Sequence, residues 1–282
     1  MTNKDTVIVT GASGSMGAAA VRSLSSKGLT VIMACRNLDK AERVRSSILA
    51  DLPSADLRVI RLDLSEMNSV REFVYGFTEL KDKEGLRLVA LFNNAGIINR
   101  EYRLTSDGFE STLATNYLGP FLLTRMLLGY FEAGSHIVNM VSLTCRFGSV
   151  TEDLFSRPAQ RFSRLGTYSD TKLALMLFSI ALARRVGDDI HVNMADPGVV
   201  NSNMLSMGKW YDSLADIIFR PFCKSPERGV APALRALESS ERMRLFKGDS
   251  TLSVADRYLN HPLTDWLFGQ TEKVLGVSPF KR

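Results

Sequence analysis

The chain has 282 residues, 45% of them hydrophobic, and carries a net charge of +5. A chain of this length and hydrophobicity can bury a large core, and no repeat, low-complexity stretch or linker divides it, so we expect one domain over residues 1–282. Basic residues are spread along the chain and form no block, which argues against nucleic acid as a partner. The excess positive charge would assist the binding of an anionic cofactor.

The chain begins with a polar stretch from Met1 to Asp5, which predicts no secretory leader. The longest apolar helical patterns are Tyr117–Phe131, interrupted by Arg125, and Leu173–Ala183. Neither pattern is long and apolar enough to cross a bilayer, so we expect no integral membrane segment.

The cysteine and histidine usage argues against a metal site and against an oxidising compartment. The three cysteines cannot all pair, and neither they nor the isolated histidines match a metal-ligand spacing. A reduced, cytoplasmic setting is therefore expected. The residues concerned are Cys35, Cys145, Cys223, His136, His191 and His261.

Short apolar runs typical of buried strands alternate with helical patterns along the chain. This alternation predicts an α/β fold with a doubly wound parallel sheet and helices on both faces. The predicted strands are Val7–Val9, Val31–Met33, Leu57–Leu62, Leu88–Phe92, Ile137–Val141 and His191–Ala195.

A glycine-rich turn separates the first strand from the first helix. The strand Thr6–Thr10 is followed by Gly11-Ala-Ser-Gly14-Ser-Met-Gly17, and a helical pattern begins at Ala18. Glycine lets the backbone approach a pyrophosphate, whose charge is stabilised by the amides at a helix N-terminus. Strand, glycine turn and helix in this order indicate a dinucleotide site.

The residues that follow the second strand indicate which dinucleotide binds. Cys35-Arg36-Asn37 follows the apolar run, and no acidic residue occurs between Leu29 and Leu38. An acidic side chain here would accept hydrogen bonds from a ribose 2′-hydroxyl, whereas an arginine suits a 2′-phosphate. The pattern favours NADP(H), with NAD(H) possible, although Arg36 could also be a solvated turn residue.

Several polar groups follow later strands or lie in helices. They are Asp63-Leu64, Asn93-Asn94-Ala95-Gly96, Asn116 and Ser142. Taken singly, each is compatible with turn or cap chemistry alone.

Tyr168 and Lys172 are four residues apart at the start of a long apolar-periodic run. This spacing places both side chains on one face of a helix. A phenol has an ordinary pKa of about 10, and a nearby ammonium group favours the phenolate. The pair therefore predicts an acid-base group whose pKa is lowered by Lys172.

Taken together in this order, the motifs resemble the short-chain dehydrogenase/reductase family, classical type, over residues 5 to about 202. The sequence around Tyr168 most resembles the branch of this family that contains retinol dehydrogenases and carbonyl reductases. The resemblance implies a Rossmann fold and a catalytic set of Asn116, Ser142, Tyr168 and Lys172. It implies cofactor contacts at Gly11, Ser13, Gly14, Ser15, Met16, Gly17, Arg36, Asn37, Asp63, Leu64, Asn94, Ala95, Gly96, Tyr168, Lys172, Pro197, Gly198, Val200 and Ser202.

Two departures from the family pattern stand out. The loop has Gly14 and Ser15 where the compact members have a glycine one position later, which is similar to the extended branch of sugar epimerases and dehydratases. The stretch between Ser142 and Tyr168 is about a dozen residues longer than in compact members. This insertion, around 148–166, is expected either to line the substrate mouth or to cover a surface that other members use for subunit contact.

The implied reaction is NADP(H)-dependent hydride transfer between nicotinamide and a carbonyl or alcohol. Tyr168 would supply the proton, Ser142 would bind the developing oxyanion, and Lys172 would hold the nicotinamide ribose. In the family, Asn116 holds a water that connects Lys172 to solvent.

Substrate and partners are less well defined by the sequence. An apolar stretch between Met204 and Phe219 lies in a segment, around 201–224, that covers the substrate as a lid in the family, and it suits a lipophilic or bulky small molecule. The same stretch is compatible with a core helix or a peripheral membrane contact. A homo-oligomer is possible. A closing helix is expected over Glu227–Ser239 and a last strand near Thr251–Ala255; the tail after them carries no functional signal.

Two alternative functions stay open. The fold could serve as a non-catalytic NADP(H)-binding regulator or scaffold. The glycine spacing alone would also fit an extended-type nucleotide-sugar epimerase or dehydratase.

Overall fold

A computed structural model describes residues 4–200 and 224–280. Within them, eight strands form one sheet in the order β3-β2-β1-β4-β5-β6-β7-β8. The seven strands β1 to β7 are parallel, and β8 is antiparallel to β7 at the edge of the sheet. The strands are β1 Lys4–Thr10, β2 Thr30–Cys35, β3 Leu57–Arg61, β4 Leu86–Asn93, β5 Phe131–Met140, β6 Ile190–Asp196, β7 Arg244–Lys247 and β8 Ser250–Ser253.

Helices connect the strands and cover both faces of the sheet. They are α1 Ser15–Ser26, α2 Leu38–Asp51, α3 Met67–Glu84, α4 Ser111–Leu113, α5 Gly119–Leu127, α6 Arg164–Arg185, α7 Pro226–Glu238, α8 Asp256–Leu259 and α9 Thr264–Val274. One turn of π-helix, Ala114–Leu118, joins α4 to α5. The predicted α/β, doubly wound Rossmann fold is confirmed.

The two faces of the sheet have separate cores because successive strand residues point to opposite sides. On β1, Val7 and Val9 pack against α1, α2 and α7, whereas Ile8 packs against α3, α5, α6 and α9. Strands buried on both faces read as continuous apolar runs, which explains why the runs in the sequence were recognisable.

The sheet contains a topological switch point between β1 and β4. The chain proceeds outward through β2 and β3 on one side and through β5 and β6 on the other. Ligands of open α/β sheets bind at the carboxyl ends of strands beside such a switch point. The Gly11–Gly17 loop and the Asn94–Gly96 segment both begin there.

The structure corrects several element boundaries. β5 begins at Phe131, the last residue of the predicted helix Tyr117–Phe131. The four-residue strand β7 was missed, and β8 ends at Ser253, two residues before the expected end at Ala255. The tail forms α8 and α9, and Phe268 of α9 is buried in the main core.

The insertion around 148–166 is fixed to the core at several points. Val150 and Leu154 are buried. Arg157 forms an ion pair of 2.5 Å with Asp170 of α6, and both side chains are almost inaccessible to solvent. Phe155 lies 6.3 Å, ring centre to ring centre, from Trp266 of α9. The insertion therefore packs between α6 and the C-terminal helix.

Candidate active site

The cofactor loop is shaped by close backbone approaches. Gly11 has φ +64° and donates its N–H to the Ala34 carbonyl at 2.9 Å. A Cβ on Gly17 would lie 2.2 Å from the Gly11 carbonyl oxygen, so no side chain fits there. Gly14, in contrast, has φ −78° and leaves 3.3 Å to the nearest atom. Gly14 therefore tolerates a side chain better than Gly17 does.

The N-terminus of α1 is open toward a ligand. Its N-cap residue Gly14 has no side chain to accept the first amide protons, and no acidic residue lies in the first turn. Unsatisfied N–H groups at a helix start bind phosphate oxygens. The cleft beside the loop has a volume of about 640 Å³.

This cleft collects most of the cofactor residues predicted from the sequence. The predicted residues that line it are Gly11, Ser13, Gly14, Ser15, Met16, Gly17, Arg36, Asn37, Asp63, Leu64, Asn94, Ala95 and Gly96. The sequence reasoning missed Lys40, Ile97, Asn99, Arg100, Thr115 and Arg164, which also line it. Lys40 lies in the first turn of α2, four residues after Arg36, so its nearness to Arg36 in the sequence was a usable signal.

The end of the cleft beside β2 and β3, where the adenosine is predicted to bind, carries side chains of both charges. Asp63 is buried, and its Oδ1 accepts hydrogen bonds from the N–H and the hydroxyl of Ser65 at 3.0 and 2.6 Å. Its Oδ2 lies 3.9 Å from Nε of Arg36, whose side chain is 67% exposed. Asn37 caps α2 by accepting from the Lys40 amide at 2.8 Å. The shape and donors fit a dinucleotide.

Thr10 ties the Asn94–Gly96 segment to the first strand, a role that the sequence analysis did not assign. Its hydroxyl accepts from the amides of Asn94 and Ala95, each at 3.0 Å. The Asn94 side-chain amide donates to the Thr10 carbonyl at 2.8 Å. These bonds hold the wall of the cleft at the switch point.

Asn116 lies in the π-helical turn and is fully buried. Its Oδ1 accepts from the Ile97 amide at 2.8 Å, and its Nδ2 donates to the Ile97 carbonyl at 2.9 Å. Nδ2 also lies 3.2 Å from the Thr171 hydroxyl on α6. The extra residue of a π turn re-aims side chains, which is why such turns occur at functional sites. Here the turn connects the cleft wall to α6.

Lys172 is buried, and its side chain reaches the same cleft wall as Asn116. Its Nζ donates to the Met140 carbonyl at 2.7 Å. A Cβ on Gly96 would lie 3.4 Å from this Nζ and 3.5 Å from the Asn116 Oδ1, so both side chains meet at the cleft wall. Burial lowers the pKa of the Lys172 ammonium to about 8.

The Tyr168 and Ser142 side chains are hydrogen-bonded to each other. Lys172 Nζ is 5.8 Å from the centre of the Tyr168 ring. Burial raises the pKa of Tyr168 to about 12, and the hydrogen bond from Ser142 partly opposes this. Desolvation dominates the pKa of Tyr168 here, and the Lys172 ammonium is bonded to the Met140 carbonyl; the lowering of the phenol pKa by Lys172 stays a prediction.

The Pro197–Val200 segment adjoins this centre from β6. Gly198 has φ +71°, and its amide donates to Asp196 Oδ1 at 3.0 Å. Val200 is buried against Gly229, where Met16 of the cofactor loop also approaches. Pro197 is partly exposed, and the expected contact Ser202 lies outside the described residues. The lid expected around 201–224 lies outside them too, except for Lys224.

A glycine-loop cleft at the switch point of a Rossmann sheet, with Lys172 reaching its wall at Gly96, is typical of enzymes that bind a nicotinamide dinucleotide. The family model for short chain dehydrogenases matches residues 5–210. The chain belongs to the short-chain dehydrogenase/reductase family and is an NAD(P)-dependent enzyme of its retinol dehydrogenase-like branch.

Individual relatives agree with this placement. The chain is 33% identical to retinol dehydrogenase 12 of Homo sapiens, over 96% of this chain and 86% of the relative. It is 36% identical to polyprenol dehydrogenase of Mus musculus, over 83% and 71%. A crystal structure of a putative uncharacterized protein from Mycobacterium Paratuberculosis superposes with a TM-score of 0.75 at 29% identity, covering 99% and 95%.

Two further observations concern metal-binding clusters and membrane-spanning helices. No three side chains of the metal-binding types come together in residues 4–200 and 224–280. None of the helices in the same two stretches combines the length and the apolar character needed to cross a membrane.

Proposed function

We propose that the protein interconverts a lipophilic carbonyl compound and its alcohol with NADP(H), and that Tyr168 is the acid-base group. The observation that carries the proposal is a cluster of three side chains beside the dinucleotide cleft. Ser142 is hydrogen-bonded to Tyr168, and Lys172 Nζ lies 5.8 Å from the centre of the Tyr168 ring. A Cβ on Gly96, which lines the cleft, would lie 3.4 Å from the same Nζ. A bound nicotinamide supplies or takes up the hydride. The protein has to bind the oxygen and move one proton.

Each side chain has a distinct task in this proposal. In the reducing direction the Tyr168 hydroxyl donates its proton to the substrate oxygen, and the Ser142 hydroxyl donates a second hydrogen bond to the charge developing there. Burial keeps the phenol protonated at neutral pH, which is the form that can donate a proton. Lys172 and Asn116 hold the wall formed by Gly96 and Ile97, against which the nicotinamide ribose would lie.

The preference for NADP(H) is supported by charge at the adenosine end. Arg36 and Lys40 both line the cleft there, and Arg36 is exposed enough to receive a 2′-phosphate. Guanidinium groups bind phosphate by two parallel hydrogen bonds. Asp63, 3.9 Å from Arg36, is occupied by Ser65 through its other oxygen.

The lipophilic substrate class is supported by apolar side chains near the reacting groups. Leu143 and Phe147 follow Ser142 in a short helical turn, and Val199 follows Gly198; all three are exposed, Phe147 by 70%. Exposed apolar groups beside polar reacting groups are typical of a site for a mainly apolar ligand. Two of the relatives are a retinol dehydrogenase and a polyprenol dehydrogenase, and the compounds in their names are mainly apolar.

The acid-base role is tested with a tyrosine-to-phenylalanine pair. Tyr168→Phe should abolish turnover, at least a hundredfold loss, and leave NADPH affinity within about twofold. Tyr117→Phe is the matched control, since Tyr117 is fully buried and bonded to Thr271 at 2.6 Å. It should cost about 1 kcal/mol of stability and keep its activity. Normal turnover in Tyr168→Phe would rule out the proposed mechanism.

The cofactor preference is tested by charge reversal. Arg36→Asp should move the ratio of kcat/KM values for NADPH and NADH toward NADH by at least tenfold, because it replaces a phosphate partner by a 2′-hydroxyl acceptor. Arg43→Asp makes the same charge change on α2 away from the cofactor cleft. An equal shift in both variants would mean that general electrostatics, and no contact at Arg36, sets the preference.

The substrate class is tested by following NADPH oxidation with aldehydes and ketones of increasing chain length. We expect kcat/KM to rise with apolar length. Tight NADPH binding without turnover of any compound would favour the alternative of a cofactor-binding regulator.

A further inference from the structure

The insertion around 148–166 is held by a single carboxylate on α6. Asp170 lies two residues after Tyr168 on this helix, and its side chain is almost inaccessible to solvent. Its Oδ1 accepts the Ser149 amide at 2.6 Å, and its Oδ2 pairs with Arg157 Nη1 at 2.5 Å. Each oxygen of Asp170 therefore binds a different part of the insertion.

The start of the insertion lies directly against the backbone of α6. A Cβ on Gly148 would lie 2.4 Å from the Ser169 carbonyl oxygen and 3.0 Å from the Leu173 Cβ. The φ of Gly148 is −76°, which any residue can adopt, so the close approach alone excludes a side chain there. Gly148 and Ser149 thus contact the helix at neighbouring residues, Ser169 and Asp170.

Hydrogen bonds along the chain connect this contact to Ser142. Ser142 is the N-cap of the short helical turn Leu143–Phe147. The Cys145 amide donates to the Ser142 carbonyl at 3.0 Å, and the Gly148 amide donates to the Cys145 carbonyl at 3.2 Å. The turn that carries Ser142 and the point held by Asp170 therefore belong to one hydrogen-bonded segment.

The ion pair between Arg157 and Asp170 is suited to fixing a position. Apolar side chains often stabilise a buried site as well as an ion pair does. An ion pair, however, holds one arrangement, because displacement of either partner leaves a buried charge alone. The backbone of Arg157 is held too, since its carbonyl accepts the Tyr102 hydroxyl at 3.1 Å.

We propose that Asp170 is a positioning residue that docks the Ser142 turn on α6 and so sets the place of the Ser142 hydroxyl relative to Tyr168. The inference rests on the proposed function, in which both hydroxyls donate to one substrate oxygen. Ser142 follows β5 whereas Tyr168 lies on α6, so their relative position depends on how the turn packs on the helix. A displacement of about 1 Å in such an arrangement can cost about a hundredfold in rate.

The test is a double-mutant cycle of Asp170→Ala and Ser142→Ala. The assay is kcat for NADPH-dependent reduction of the aldehyde that the wild type reduces fastest in the chain-length series. Ser142→Ala alone should lower kcat at least a hundredfold, because it removes a donor to the developing oxyanion. Asp170→Ala alone should lower kcat about tenfold or more, with the dissociation constant of NADPH within about threefold.

The two effects should not multiply. In the Asp170→Ala background, Ser142→Ala should cost less than about tenfold, because the hydroxyl is already displaced. Asp170→Asn keeps an acceptor for the Ser149 amide and removes the charge that pairs with Arg157, so its kcat should lie between those of Asp170→Ala and the wild type.

Glu272→Ala is the matched control for the loss of a buried ion pair. Glu272 on α9 pairs with Arg125 on α5 at 2.8 Å. The exposed fractions of these side chains are 10% for Arg125 and 8% for Glu272, against 12% for Arg157 and 9% for Asp170. Glu272→Ala should lower the unfolding temperature, yet leave the hundredfold cost of Ser142→Ala intact.

A second readout does not depend on turnover. Hydrogen–deuterium exchange followed by mass spectrometry reports on the amides of residues 142–149. Their exchange should be at least about tenfold faster in Asp170→Ala and unchanged in Glu272→Ala, because only Asp170 binds this segment.

The outcomes separate the two claims. Undiminished turnover in Ser142→Ala and Tyr168→Phe would refute the proposed function. A full hundredfold cost of Ser142→Ala in the Asp170→Ala background, or unchanged exchange of residues 142–149, would refute only the role of Asp170. If Asp170→Ala does not fold, Gly148→Ala decides alone, because its added methyl group must displace the turn from the Ser169 carbonyl. A full cost of Ser142→Ala in that background overturns the inference.

Discussion

Replacing Gly17 by alanine tests whether the cofactor loop is constrained by its backbone. Gly17 is the third residue of α1, where helix propensity alone predicts that Gly17→Ala stabilises the protein by about 1 kcal/mol. The added Cβ, however, would lie 2.2 Å from the Gly11 carbonyl oxygen and 2.8 Å from the Ala12 Cα. Both are backbone atoms that no rotamer change can move, so the loop or the helix start must shift by about 1 Å.

A shift of this size removes the amides from their place beside the phosphates. Each charge-assisted hydrogen bond contributes about 1.5–3 kcal/mol, so the loss of two costs at least about 3 kcal/mol, or more than a hundredfold in affinity. The steric effect therefore outweighs the propensity gain.

The assay is the dissociation constant of NADPH, measured by titration calorimetry, together with the unfolding temperature. Gly14→Ala is the matched control, because its Cβ would lie 3.3 Å from the nearest atom and its φ of −78° suits alanine. We expect its affinity for NADPH to fall less than tenfold. Equal affinity for NADPH in Gly17→Ala and the wild type would refute the assignment of this loop to the diphosphate.

Two further predictions concern stability. Burial and the stacked ring of His191 lower the pKa of His136 to about 4, so the folded state binds fewer protons than the unfolded state and stability is lost as pH falls from about 6.5 to 4. His136→Gln should reduce that loss by at most about 3 kcal/mol. The measurement is urea unfolding of both proteins at pH 7.5 and 4.5. An identical loss in both would contradict the assignment of this pH dependence to His136. Phe268→Ala should cost about 3–5 kcal/mol, since the ring is buried against Phe121 at 5.1 Å between centres. Leu252→Ala on the exposed edge strand β8 should change the free energy of unfolding by only about 0.5 kcal/mol, and similar costs for both would show that α9 is not part of the core.

Features written in local sequence were predictable. The strand, glycine turn and helix at Gly11–Gly17 follow from residues that are neighbours in the chain, and the Tyr168–Lys172 spacing follows from the helical period. Apolar runs gave the doubly wound sheet because its strands are buried on both faces. The boundaries of Tyr117–Phe131 were wrong because an apolar run does not distinguish the end of a buried helix from the start of a strand.

Other features depend on contacts between distant parts of the chain. Strand β7 has only four residues and is defined by its pairing with β6. The pKa of Tyr168 could not be obtained from its spacing to Lys172, because desolvation and the bond from Lys172 to Met140 exist only in the folded chain.

Asp196 is the last residue of β6 and directly precedes Pro197. Its position beside Ser142 follows from the register of β5 and β6, and that register is set by packing on both faces of the sheet. The sequence by itself determined the family, and it predicted the cofactor loop and the reacting groups. The tertiary structure decided which charges surround those groups, because burial and register are properties of the assembled sheet.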